Sequence, residues 1–215
     1  MHPRTRIRVL VNSRAGVRVI AVASFALVLV GCTPAPTVLP DVIVEQTGSS
    51  PLDGDEWVIA VRATELAQTL AWNSGDFTID SLRGSTSPSD VEALYEHYAA
   101  GARKNRAPHV YSGPVIWAPI SVNAAGNSAN LVVCVATQDR TINAEHPGTV
   151  YGLGTGIIWE WTYEKLPSGA IEQTGNHQTL DQCSAEMAEV LVFDPAPTLP
   201  EKINEGDIRA PADSD

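Results

Sequence analysis

The stretch that decides the fold alternates bulky apolar and polar side chains: Ile158-Trp159-Glu160-Trp161-Thr162-Tyr163-Glu164. Successive side chains of a strand point to opposite faces, so Trp159, Trp161 and Tyr163 share one face. The pattern predicts a strand with one face in a core and the other in solvent. Upstream, Leu131-Val132-Val133-Cys134-Val135-Ala136 is apolar on both faces and predicts a central strand.

Helical spacing precedes these strands. Apolar residues recur at i, i+4, i+7 and i+11 from Ile59 through Ala63 and Leu66 to Leu70, which predicts one helix. A second helix is predicted after Ser87, an N-cap candidate that Pro88 follows. Further strands are predicted over 110–122 and 170–180. Helices followed by an antiparallel meander predict an α+β domain with helices on one sheet face.

Composition divides the 215 residues into four parts. Residues 1–31 hold five arginines and no acid, so the other residues have 14 − 5 = 9 basic against 25 acidic side chains, a charge of −16. This acidity argues against a nucleic-acid partner. Prolines and small residues over 32–52 predict an extended tether that reaches at most ~65 Å. Residues 53–193 are predicted to fold, and 194–215 to form a disordered acidic tail.

The N-terminus has the features of an export signal. Arginines precede an uncharged run over 19–30, which is too short to span a bilayer and matches a secretory signal. Its end, Leu29-Val30-Gly31-Cys32, resembles the lipobox of bacterial lipoproteins. That resemblance implies cleavage before Cys32, a diacylglycerol thioether on its sulfur, and anchoring to the extracytoplasmic face of the cell membrane. An ordinary signal peptide with an incidental cysteine is the alternative.

Two cysteines remain in the body of the chain, Cys134 and Cys183. An even pair in an exported chain predicts a disulfide, with two buried free thiols as the alternative. Neither has a Cys or His at ligand spacing, so we predict no metal site. The run Gly152, Gly154 and Gly156 leads into a strand rather than a helix, and we interpret it as a flexible loop.

The order and lengths of the elements over 53–193 resemble the NTF2-like cone fold. This resemblance implies N-terminal helices packed on a curved antiparallel sheet, with an apolar pocket between them. The aromatic candidates to line it are Tyr95, Tyr98, Trp159, Trp161 and Tyr163. Enzymes of this fold place a general base and hydrogen-bond donors in the pocket, and the candidates for those roles are Asp76, Asp80, His109 and Tyr111.

Two functions follow from these features. The first is a non-catalytic, membrane-anchored domain without a cofactor that binds an envelope protein or a small apolar ligand. The second is a cavity enzyme, a dehydratase or isomerase. A buried Asp or His that faces an open cavity beside a Tyr would favour the enzyme, whereas a cone filled by Trp159 and Trp161 would count against it. An accessory domain of a cell-wall enzyme is a third interpretation.

Overall fold

The computed structural model describes residues 37–137, 140–145 and 154–211. The helices within these ranges are α1 (Glu56–Ser74), α2 (Asp80–Ser85) and α3 (Pro88–Arg103). The strands are β1 (Asp41–Gln46), β2 (Val110–Tyr111), β3 (Trp117–Ala125), β4 (Ser128–Ala136), β5 (Thr141–Ile142), β6 (Thr155–Lys165), β7 (Ile171–Ser184) and β8 (Val190–Asp194). A short 3-10 helix covers Glu205–Asp207. The predicted signal (1–31), Cys32 and the loop residues 146–153 lie outside the described residues.

The helices begin and end where their local sequence supplies caps. The Asp55 carboxylate accepts a hydrogen bond from the Trp57 backbone N–H at 2.8 Å and caps α1. Gly75 ends α1 in the left-handed conformation, with φ of 66°. Ser87 caps α3 through the Asp90 backbone N–H at 3.1 Å, which confirms the predicted start of that helix. Helix α2 is a short additional helix between the two that the sequence predicts.

The main sheet has four antiparallel strands in the order β3-β4-β6-β7. Leu131 of β4 lies between Val122 of β3 and Trp161 of β6, so β4 is a central strand as predicted. Two further ribbons pair β1 with β8 and β2 with β5.

The helices cover one face of this sheet. Trp57, Val58 and Val61 of α1 pack in a cluster with apolar side chains of the sheet, including Leu131 and Trp161. A second cluster joins the C-terminal half of α1 to α2 and α3. The architecture is therefore α+β, with helices on one face of an antiparallel sheet. No helix within the described ranges has both the length and the apolar character needed to cross a bilayer.

The N-terminal half of the apolar stripe predicted for α1 is exposed, whereas Leu70 at the other end of the stripe is buried as predicted. Ile59 is 56% exposed and Ala63 is also exposed, whereas Val58 and Val61 are fully buried. The alanines on this helix make its apolar band wide, so spacing alone leaves the phase open. The larger side chains decide it, because Trp57, Val58 and Val61 bury more apolar area.

The disulfide between Cys134 and Cys183 is present, with the two Cα atoms 5.9 Å apart. It links β4 to the end of β7, on either side of β6 in the sheet order. Gly156 of β6 lies beneath it, so this glycine belongs to a strand and not to a flexible loop. A Cβ on Gly156 would lie 2.5 Å from the Cys134 sulfur.

Both predicted terminal segments contribute to the fold. Strand β1 lies inside the predicted tether, and β8 pairs with it. In the predicted tail, the Arg209 backbone N–H donates to the Gly75 carbonyl at 2.9 Å, and Ile203 and Ile208 pack against the second cluster. Residues 194–211 are therefore ordered rather than a free tail. The isoleucines and Arg209 of this segment make these contacts. The prediction of a disordered tail rested on its prolines and acidic residues and did not take them into account.

Candidate functional site

A cavity of about 410 Å³ lies between α1, α3 and the segments that lead into the sheet. Its lining residues are Glu65, Gln68, Thr69, Trp72, Leu94, His97, His109, Tyr111, Gly113, Val115, Ile116, Ala136, Arg140 and Thr141. Aromatic, titratable and apolar side chains therefore share one space.

Trp72 is the aromatic centre of the site. Its ring lies 5.1 Å from the His109 ring and 5.6 Å from the His97 ring, centroid to centroid. Tyr98 packs edge-on behind it at 4.9 Å. The indole Nε1 donates to the His109 carbonyl at 3.3 Å. The indole is thus held by packing and by a hydrogen bond, which gives a ligand a fixed surface.

The position of Tyr111 is fixed by α1. The Tyr111 backbone N–H donates to Asn73 Oδ1 at 2.8 Å, and Asn73 Nδ2 donates to the Tyr111 carbonyl at 2.7 Å. The Tyr111 hydroxyl lies 3.3 Å from His109 Nε2, within hydrogen-bond distance. His109 and Tyr111 were two of the four residues predicted for acid–base chemistry, and the fold brings them together in the cavity.

Glu65 is the residue that sequence reasoning missed. It follows Val61 by four positions and Val58 by seven, so it shares the buried face of α1. Burial raises the pKa of its carboxyl to about 7. Within the described part of the chain, no hydrogen bond or ion pair to this carboxylate is present. The sequence feature that could have identified Glu65 is an acidic residue at helical spacing from Val58 and Val61. It was overlooked because the predicted apolar stripe of α1 did not include those valines.

Arg140 forms part of the opposite wall and is 6% exposed. Its guanidinium donates to the Pro114 carbonyl at 2.8 Å, to the Leu191 carbonyl at 2.7 Å and to Ser112 Oγ at 3.3 Å. A Cβ on Gly113 would lie 2.5 Å from Arg140 Nη2 and 2.1 Å from the Leu191 carbonyl oxygen. Gly113 therefore leaves the space that the guanidinium occupies.

The aromatic residues predicted to line a pocket do not border this cavity. Trp161 and Tyr163 are buried in the sheet core, where Trp161 packs edge-on against Trp117 at 5.3 Å. Trp159 packs against the same cluster. Tyr95 and Tyr98 belong to the helical cluster. Burial, and then the charges of Glu65 and Asp90, raise the pKa of the Tyr163 phenol well above its usual range.

The remaining acid–base candidates lie elsewhere. Asp80 forms an exposed ion pair with Arg83 within α2. Asp76 is buried and accepts hydrogen bonds from Thr37, Thr78 and Arg209. Burial opposes its ionisation, but those hydrogen bonds and the Arg209 charge outweigh burial and lower its pKa. Asp76 therefore joins the two ends of the folded chain and does not reach the cavity lined by Trp72.

Across residues 37–137, 140–145 and 154–211, no cluster of three or more His, Cys, Asp or Glu side chains is placed to hold a metal ion. Comparison of the chain with family models, with curated proteins and with solved structures finds no match.

Proposed function

We propose that this chain is a lipid-anchored extracytoplasmic protein whose NTF2-like domain binds a small ligand in the cavity beside α1. The observation that carries the proposal is the cavity itself. Its volume of about 410 Å³ is within the range of small-molecule sites, roughly 300–1,000 Å³. Its walls combine an aromatic surface, Trp72, and aliphatic side chains with polar groups, among them His109, Tyr111 and Glu65. Apolar surface supplies affinity and polar groups fix the orientation of a ligand.

The NTF2-like assignment rests on the element order. Helices α1 to α3 precede the meander, and they cover one face of the antiparallel sheet. The cavity lies between α1, α3 and the segments that lead into the sheet, whereas aromatic side chains fill the space between α1 and the sheet itself. The proposal of an NTF2-like cone therefore rests on the element order and not on the position of the cavity.

The lipid anchor is proposed from the sequence Leu29-Val30-Gly31-Cys32. A disulfide in the folded part supports an oxidising compartment, as expected for an exported protein. Thr37, whose hydroxyl bonds to Asp76, follows Cys32 by only five positions. Five residues of extended backbone span at most about 18 Å, so the chain between a lipid on Cys32 and Thr37 is much shorter than the ~65 Å expected for a free tether.

A second candidate function is proton transfer in the same cavity. His109 is half-buried, lines the cavity and lies beside Tyr111, with Glu65 in the same walls, which meets part of the condition set above for an enzyme. A carboxyl with a pKa of about 7 is suited to exchange protons near neutral pH. Trp161 and Trp159 pack in the core between α1 and the sheet, which is the arrangement said above to count against an enzyme, so this candidate rests on the separate cavity lined by Trp72.

Substitutions at the cavity wall test the binding proposal. Val115 lines the cavity and is 47% exposed, so an indole in Val115→Trp can enter the space without an unfolding penalty from the core. We expect native mass spectrometry of the purified wild type to show a bound small molecule that Val115→Trp loses. Ile120→Trp is the matched control, because Ile120 is also 47% exposed and does not line the cavity. Equal retention of the molecule by both variants would refute the site.

A further inference from the structure

We propose that this cavity selects ligands that carry a positively charged nitrogen next to an apolar group, with Glu65 as the counter-ion and Trp72 as the apolar surface. This inference rests on the proposed ligand-binding function and adds the chemical class of the ligand.

Glu65 supplies the anionic group. Its carboxylate lines the cavity and has no hydrogen-bond or ion-pair partner among the described residues. Burial alone accounts for the rise of its pKa to about 7. Glu65 is half-buried. A partly desolvated, unpaired acid gains from a cation that enters, because the cation favours the charged form. A bound ammonium group would therefore replace the favourable interaction with water that the carboxylate loses on burial.

The nearest basic side chain on α1 is already engaged. Arg62 pairs with Asp53 at 2.6 Å and lies 3.7 Å from Glu189. Arg62, Glu65 and Glu189 border one small crevice next to the main cavity. Arg62 is therefore committed to two acids, and Glu65 has no share in that pairing.

The other charged or titratable groups around the cavity do not favour an anionic ligand. Arg140 directs three of its N–H donors to protein oxygens, those of Ser112, Pro114 and Leu191. His97, His109 and Tyr111 are the remaining titratable side chains in the walls. The carboxylate of Glu65 is the acidic group in these walls, and no described residue forms a hydrogen bond or ion pair with it.

Trp72 adds a second attraction for a cation. Its ring borders the cavity, and the rings of His97 and His109 lie 5.6 Å and 5.1 Å from it, centroid to centroid. The face of an indole attracts ammonium groups, and the attraction grows when water is excluded. A ligand with both an apolar body and an ammonium group contacts Trp72 and Glu65 together, which neither a neutral nor an anionic analogue does.

Three probes of one shape isolate the charge: benzylamine, benzyl alcohol and benzoate. Ligand-observed NMR titration of the full chain at about pH 8 gives each Kd. We expect the wild type to bind benzylammonium about tenfold more tightly than benzyl alcohol, and benzoate the least. In Glu65→Gln, which keeps the shape of the side chain, the preference should fall to within about twofold.

Glu92→Gln is the matched control, since Glu92 is exposed on α3 and does not line the cavity. It removes the same charge and should leave the preference unchanged. Binding of all three probes with equal affinity, or a preference that survives in Glu65→Gln, would overturn the inference while leaving the cavity as a ligand site. Failure of every probe to bind at millimolar concentration would instead contradict the proposed function, and the inference with it.

Discussion

Because of Glu65, the stability of this protein is expected to decrease as pH rises towards neutrality. Its pKa is raised from 4.5 to about 7 in the folded chain. The folded state therefore holds the proton more tightly than the unfolded state, and stability falls as pH rises from about 4.5 to 7. Above that range the ionised carboxylate lowers the free energy of unfolding by about 3 kcal/mol or less. The cost is smaller than the pKa alone implies because Glu65 is partly exposed and water screens its charge.

We therefore expect Glu65→Gln to stabilise the fold at about pH 8 and to change little at about pH 4, because the amide is neutral throughout. The gain should be about 1 to 3 kcal/mol at the higher pH. Urea unfolding at the two pH values measures it, with Glu92→Gln as the reference for a lost surface charge. A gain of equal size at both pH values would show that desolvation of Glu65 is not its source.

Sequence patterns identified side chains of the cavity unevenly. His109 and Tyr111 were candidates because their chemistry is visible in any sequence. Glu65 was not, because its role depends on the phase of α1, and alanines on both sides of the apolar band leave that phase open. Arg140 was missed because its wall is formed by contacts with Pro114 and Leu191, which are distant in sequence.

At the scale of elements, local sequence signals predicted the structure correctly, whereas pairings between residues distant in sequence were not predicted. Ser87 and Pro88 predicted the start of α3, since capping is decided within one turn. The central position of β4 followed from its apolar run. The pairing of β1 with β8 joins Val42 to Phe193 across most of the chain, and no local pattern encodes it. For that reason the sequence predicted residues 41–46 to be part of a tether and the ordered segment 194–211 to be part of a disordered tail.

Strand β6 gives a prediction about the disulfide that crosses it. A Cβ at Gly156 would lie 2.5 Å from the Cys134 sulfur and 2.7 Å from the Val135 carbonyl oxygen, so Gly156→Ala forces the bridge or the sheet to move. We expect a loss of about 2 kcal/mol in the free energy of unfolding, or a fraction of chains with reduced cysteines. Thiol titration and denaturant unfolding measure the two outcomes.

Gly154 offers the matched control for this substitution. A Cβ there meets nothing within 4 Å, so Gly154→Ala should keep both the disulfide and the stability of the wild type. If Gly156→Ala behaved in the same way, the bridge would not depend on the glycine beneath it.

At the scale of the whole molecule, both ends of the folded chain meet at one carboxylate. Thr37 and Arg209 are 172 residues apart, and both donate to Asp76. The pKa of Asp76 is lowered in the folded chain. This contact therefore stabilises the fold at pH values above the ordinary pKa of an aspartate, and the stabilisation is lost as pH falls through the folded pKa. Thr37, at the start of the described residues, is thus fastened to the domain.

The proposed anchor makes the last prediction. If Cys32 carries two acyl chains, it provides the attachment needed for stable membrane binding. Cys32→Ser should therefore move the protein from the membrane fraction to the soluble fraction, while Thr33→Ser, next to it, should leave fractionation unchanged. A Cys32→Ser protein that stays with the membrane would mean that an uncleaved signal or a protein partner, and not a lipid on this cysteine, holds the domain there.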